Sequence, residues 1–160
     1  GVRKPINNFY SIAPFSTTTM NNQQYGPPAD HTEAHRPTSF DDIKGAILDS
    51  EGTFKYIQIE VTDPASNQTR TVVRGYKSCP YHADILNKFQ YEELSTLGPM
   101  KFNLNCPGGG RITHTNTAAD HKIHIYGYSQ GFGLADHQKS ENIIAQDYNG
   151  YEFTWTNEGY

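Results

Sequence analysis

Cysteine, tryptophan and charge are all scarce in this 160-residue chain, which has two cysteines, one tryptophan and 19% charged residues. No apolar run approaches the ~18 residues that a membrane-spanning helix needs, and the first thirty residues hold no apolar core of the kind a secretory signal requires. Thirteen basic residues against seventeen acidic ones leave a net charge of −4, which excludes a broad basic surface for nucleic acid. Cys79 and Cys106 each precede a proline. Without a secretory signal, two such cysteines point to free thiols in a reducing compartment. The expectation is a cytoplasmic protein with neither nucleic-acid nor membrane partners, monomeric, and long enough for one domain with a modest core.

The chain divides by composition. Residues 1–42 include "APFSTTTMNNQQYGPPADHTEAHRPTSF", rich in Asn, Thr, Gln and Pro and without helical or strand period. They read as a disordered tail. From residue 43 onward the pattern is ordered. "TFKYIQIEV" alternates, with Ile57, Ile59 and Val61 on one face of a half-buried strand, and "TRTVVRGY" is a second strand after the turn cluster "DPASNQ". "HADILNKFQYEELSTL" spaces Ile85, Leu86, Phe89 and Leu97 as a helix, with Asp84 in its first turn. "KFNLNC", "GRITHT" and "KIHIYGY" read as strands, "SENIIAQDY" as a short helix capped by Ser140, and "YEFTWTN" as a final strand. The order β-β-α-β-β-β-α-β predicts a single α/β domain, residues 43–160, with a mixed sheet of about six strands and two helices.

Several motifs invite a chemical reading. "HTEAH", His31 to His35, lacks the spacing and the stable helix of a zinc protease. In "DHKIH", His121 and His124 fall on opposite faces of a strand, although His114 and His124 could meet across a hairpin. Surface or packing roles are the better reading of these three. "GYSQG", Gly127 to Gly131, spells the nucleophile elbow of serine esterases. Too little chain follows it for that fold, and its only downstream acid before the last histidine, Asp136, adjoins His137. The same residues have the makeup of an anion-binding nest of backbone N–H groups. "PGGGR" lacks the Lys-Ser/Thr ending of a phosphate-binding P-loop and reads as a tight turn, from which Arg111 could reach a phosphate or a carboxylate.

His82, in "KSCPYHADI", starts the first helix. There the helix dipole opposes protonation, and free N–H groups beginning with that of Ala83 face any nearby anion. A neutral base beside a phosphate cradle suits catalysis, the alternative being a surface histidine at a helix start. Lys55 shares the face of Ile57, Ile59 and Val61 but lies near the strand's beginning, where its ammonium can bind phosphate or simply be solvated.

Six segments in order, "GTFKYIQIEV", "VVRGYK", "YHADI", "GGGRITH", "KIHIYGYS" and "YEFTWTNEGY", resemble the phosphohistidine phosphatase, or janus, family. The resemblance runs from about Asp49 to Tyr160. It implies a small mixed-sheet α/β enzyme, with neither metal nor cofactor, that removes phosphate from phosphohistidine in proteins. On this chain it makes His82 the essential histidine and Lys55 the substrate-binding lysine. Ser129, Gln130 and Gly131 would form the phosphate loop, completed by the backbone of His82 and Ala83, with Arg74 and Arg111 supporting the site. The chain departs from the usual pattern at Gln130-Gly131, where Met-Ala is common, at Pro80, and in "EELSTLGPMKFNLN". A phosphoprotein-binding module that keeps the cradle without turnover is the alternative reading, and a serine esterase a distant third.

Overall fold

In the computed structural model, which describes residues 35–159, six strands form one mixed sheet in the order β1-β3-β2-β4-β5-β6. The strands are β1 (Ala46–Leu48), β2 (Gly52–Asp63), β3 (Gln68–Gly75), β4 (Asn103–Asn116), β5 (His121–Tyr126) and β6 (Glu152–Trp155). Helix α1 (His82–Tyr91) follows β3, and α2 (His137–Ala145) follows β5. The outer pairs β1–β3 and β5–β6 are parallel and the three inner pairings antiparallel. The expected architecture, a mixed six-stranded sheet with two helices, is the one that forms.

The six strands are not quite the expected six. "KFNLNC" and "GRITHT" are not two strands joined at "PGGGR"; they are one continuous strand, β4. Its register against β2 shifts between Gln58, opposite Gly108, and Glu60, opposite Asn105, so β4 carries one extra residue at Cys106–Pro107. A proline has no N–H to give a ladder, and a bulge is where a strand tolerates it. The sixth strand is β1, three buried residues that lie outside every strand expected from the sequence.

The half-buried reading of β2 also needs correction, because Tyr56, Ile57, Gln58 and Ile59 are all buried. The reason is that the helices cover opposite faces. Ile57, Ile59, Val61 and Val72 pack against Ile85 and Phe89 of α1 and Leu94 beyond it. Phe54, Tyr56, Ile112, Ile123 and Ile125 pack against Ile144 of α2 and Tyr148. Helix α1 has ten residues, too few to be stable alone, so burial of Ile85 and Phe89 is what holds it. Helix α2 begins at His137, capped by Asp136, whose carboxylate accepts from Lys139 N at 3.1 Å. Ser140, expected as the cap, lies inside the helix and is fully buried.

Packing also begins ahead of residue 43. Phe40 lies in the α1-side core, Arg70 donates to its carbonyl at 2.9 Å, Arg36 donates to Ser95 Oγ, and Thr96 donates to the carbonyl of Pro37. These contacts strap the segment across the 3-10 turn Glu93–Thr96 that follows α1. The remainder of the predicted tail, residues 1–34, lies outside the described residues, and His31 and most of "HTEAH" with it. Cys79 and Cys106 are free thiols, as expected. No helix among the described residues is long and apolar enough to cross a membrane.

Arg74, expected to support the site, is fully buried within the fold. Its guanidinium forks onto Glu93 at 2.9 and 2.7 Å, donates to the carbonyls of Lys44 and Val73 at 2.8 Å each, and stacks over the Phe89 ring at 5.2 Å. It therefore ties β1, β3 and the end of α1 together. Burial works against its charge, but the adjoining Glu93 carboxylate outweighs that and raises its pKa. Arg74→Ala should cost about 3–5 kcal/mol in denaturant unfolding, since it leaves Glu93 charged and unpaired in the interior. The double variant Arg74→Met with Glu93→Leu should recover most of that loss; a double variant as unstable as Arg74→Ala would refute this account.

Candidate active site

Where the N-terminus of α1 meets β2 and β4, a cleft of about 730 Å³ opens, lined by Lys55, His82, Ala83, Arg111 and the loop residues Ser129–Phe132, with Tyr81 and Tyr128 at its sides. Seven of the eight predicted site residues thus converge on one cleft; Arg74 is the exception.

His82 owes its position to its neighbours in sequence and across the sheet. Tyr81, in extended conformation, precedes the first helical residue, and its N–H donates to Asp84 Oδ2 at 2.9 Å, which fixes the helix start. His82 Nε2 lies 2.9 Å from the Gly110 carbonyl. A carbonyl only accepts, so the ring proton sits on Nε2 and Nδ1 keeps its lone pair. Among the described residues nothing hydrogen-bonds to that Nδ1. The ring fits because Gly109 has no side chain: a Cβ there would lie 3.0 Å from His82 Cδ2 and 2.5 Å from the Tyr56 carbonyl.

Burial depresses the His82 pKa most, the Gly110 carbonyl opposes it less strongly, and the Lys55 and Arg111 cations add smaller downward pulls. The neutrality expected from the helix dipole thus has burial as its main cause. Lys55 and Arg111 are register partners on adjacent strands, so both cations lie side by side on the cleft floor.

The loop after β5 is closed by its own hydrogen bonds. Gly127 turns it with φ 72°, Ser129 and Gly133 exchange backbone bonds at 3.0 and 2.7 Å, and Phe132 N donates to Ser129 Oγ at 3.1 Å. Ser129 is buried, and both its N–H and a lone pair of its hydroxyl are engaged within the loop. Gln130 and Gly131 have N–H groups without a protein acceptor among the described residues. The first-turn N–H groups of His82 and Ala83 likewise precede the intrahelical ladder. No histidine relay reaches Ser129 among the described residues, because both ring nitrogens of His137 are committed elsewhere, which removes the esterase geometry.

A buried polar chain behind the loop was not legible in the sequence. Gln58 donates to Ser140 Oγ and to the Asp136 carbonyl, both at 2.7 Å, and Ser140 donates to the Tyr56 hydroxyl at 2.9 Å. Tyr56 donates to His137 Nδ1 at 2.6 Å, and His137 Nε2 donates to the Gly127 carbonyl at 2.7 Å. The two ends fix every direction: an amide N–H can only donate and the last carbonyl can only accept. Burial pushes the Tyr56 phenol up and the His137 imidazole down, so both are neutral. The available signal was period-2 parity, which sets Tyr56 and Gln58 on the face opposite Ile57.

His114 and His124 do not meet. His114 pairs with Ile123 in the register and bonds the Asp49 carbonyl and the Tyr151 hydroxyl, while His124 pairs with Thr113 and bonds Thr154 on the other face. Among the described residues no three metal-ligating side chains cluster.

Fold and cleft together define a small mixed-sheet α/β protein with a histidine-centred, cation-lined site. The chain belongs to the Janus/Ocnus family, whose model matches residues 40–152. It is 42% identical to the human 14 kDa phosphohistidine phosphatase over 123 residues, covering 74% of this chain and 94% of that protein. The pig protein of the same name is 41% identical over the same span, covering 74% and 93%. The sex-regulated protein janus-A of Drosophila melanogaster is 40% identical over 113 residues, covering 71% and 78%.

Two measurements test the geometry. In NMR titration the His82 ring should titrate below its ordinary 6.5, and Lys55→Met should move that midpoint upward by removing a neighbouring cation; a midpoint at or above 6.5 would contradict the site. Tyr56→Phe should cost about 1–3 kcal/mol in unfolding, because it strands buried partners at His137 and Ser140.

Proposed function

We propose that this protein is a protein phosphohistidine phosphatase that hydrolyses the P–N bond with His82 as its base. The observation that carries the reading is the His82 ring: its proton is held by Gly110, so a bare Nδ1 is left in a cleft with Lys55 and Arg111. The human and pig relatives named phosphohistidine phosphatase support it.

In this mechanism Lys55 and Arg111 hold the phosphoryl oxygens, joined by the N–H groups of Ala83, Gln130 and Gly131. Ser129 braces the loop, and Arg74 braces α1 from within. Nδ1 of His82 takes a proton from water as the water oxygen bonds to phosphorus. The P–N electron pair leaves with the substrate imidazole, whose nitrogen is protonated by the resulting imidazolium or by solvent. Products are inorganic phosphate and histidine. Positioning and charge neutralisation supply most of the acceleration, since phosphoryl transfer asks for little covalent help. Neither a metal nor a cofactor takes part. Residues 43–160 act as one catalytic domain, and the two free thiols suit the cytoplasm.

The test is phosphate release from a phosphohistidine peptide in the presence of EDTA. His82→Ala should lower kcat by about 10²–10⁴, and Lys55→Ala should chiefly raise KM. As pH falls, kcat/KM should decline with a midpoint below 6.5, since the depressed pKa keeps His82 neutral to lower pH. Trapping of phosphate on His82 would make the imidazole the nucleophile instead. Undiminished release by His82→Ala would reject the assignment, and peptide binding without release would mark a phosphoprotein-binding module.

A further inference from the structure

Beyond the cleft, no helix among the described residues covers the α1 face of the sheet. Helix α1 covers Ile57, Ile59 and Val61, and the same face of β2 runs back by two-residue steps to Lys55 and Thr53. The register carries that face across the sheet in three rows: Lys55–Arg111–Tyr126, then Thr53–Thr113–His124–Thr154, then Thr115–Lys122–Glu152. All of these side chains are exposed or half-exposed, whereas their alternates Phe54, Ile112, Ile123 and Ile125 are buried under α2. Two members of the first row, Lys55 and Arg111, also line the cleft. An open strip of sheet therefore starts at the candidate phosphate site and runs outward.

The chemistry of the strip is specific. Within the three rows, three cations, Lys55, Arg111 and Lys122, stand against one acid, Glu152, in a chain of net charge −4. The segment Glu158–Gly159 lies beside Tyr126 at the cleft end. Lys122 and Glu152 are register partners, yet no ion pair joins them. Threonine hydroxyls pave the middle, and the His124 ring stacks on Tyr126 at 5.3 Å to make a flat step between the cleft and Lys122. Four residues along β5 separate Tyr126 from Lys122, about 13 Å at ~3.3 Å per residue. An extended peptide covers that span in about four residues.

We infer that this open face docks the polypeptide carrying the phosphohistidine, and that Lys122 selects substrates with an acidic residue about four positions from the phosphorylated histidine. The inference rests on the phosphatase reading for its substrate, but docking can be measured apart from turnover.

The test compares phosphohistidine peptides bearing Glu four positions before, or four after, the histidine with one bearing Ser at both places, and with phosphoimidazole. For the wild type, kcat/KM should be roughly fivefold higher for one acidic peptide than for the Ser peptide, with the advantage screened by salt. In Lys122→Glu, the ratio of that acidic peptide to phosphoimidazole should fall by at least this factor. In Lys101→Glu, an equal charge change on an exposed residue ahead of β4, the ratio should hold. Equal rates for acidic and neutral peptides, or equal losses in the two variants, would overturn the docking surface. If the wild type releases phosphate from none of these compounds, the phosphatase reading fails, and calorimetric affinities of the same peptides decide the docking. A roughly fivefold weaker acidic peptide in Lys122→Glu supports it, and an unchanged affinity overturns it.

Discussion

Two imidazole rings press on consecutive residues of one strand from opposite sides of the sheet, and the cleft depends on that closeness. Gly109 admits His82 from the α1 face; Gly110 admits His137 from the α2 face, where a Cβ would lie 2.8 Å from His137 Cε1. Backbone crowds both positions as well, with the Tyr56 carbonyl and the Tyr126 carbonyl each 2.5 Å from where a Cβ would stand. Any side chain at either glycine would have to displace sheet backbone, not merely a flexible neighbour. Because Gly110 also accepts the His82 proton, the glycine that makes room for one ring orients the other.

Charge is managed differently on the two sides of this arrangement. Inside, Arg74 is matched to Glu93 and to several carbonyls, so its charge is fully answered within the fold. At the cleft, Lys55 and Arg111 sit beside each other on neighbouring strands and jointly disfavour a third positive charge on His82. A phosphoryl group would relieve that repulsion. The two arginines resemble each other as motif members, yet one is structural and the other lines the cleft.

Much of this was legible because chemistry and position coincide. His82 sits at a helix start marked by Pro80 and Asp84, a pattern that survives folding unchanged. Lys55 still lines the cleft, although the strand it belongs to is buried on both faces at its centre. The errors share a physical cause. Three successive glycines read as a turn because glycine is the usual turn residue, but here they serve close approach within β4. Ser140 read as a cap for the same local reason, although its hydroxyl is a link in a buried chain reaching back to β2. Arg74 could not be placed without its partner Glu93, nineteen residues later and on a different element. Local propensity cannot report partners that only the sheet topology brings together.

The order of the strands in the sheet has a consequence for how the protein comes to exist. The central pair β2–β4 joins residues such as Lys55 and Arg111 that lie far apart along the chain, with β3 and α1 intervening. Such pairing closes a large loop and is the slow part of folding for mixed and all-β topologies. Every group in the cleft depends on it: Lys55 from β2, Arg111 and the Gly110 acceptor from β4, and a loop reached only after β5. A nascent chain released as far as α1 already carries His82 and Lys55 but not the strand that orients them. The site is therefore a property of the completed sheet and of no single segment of the chain.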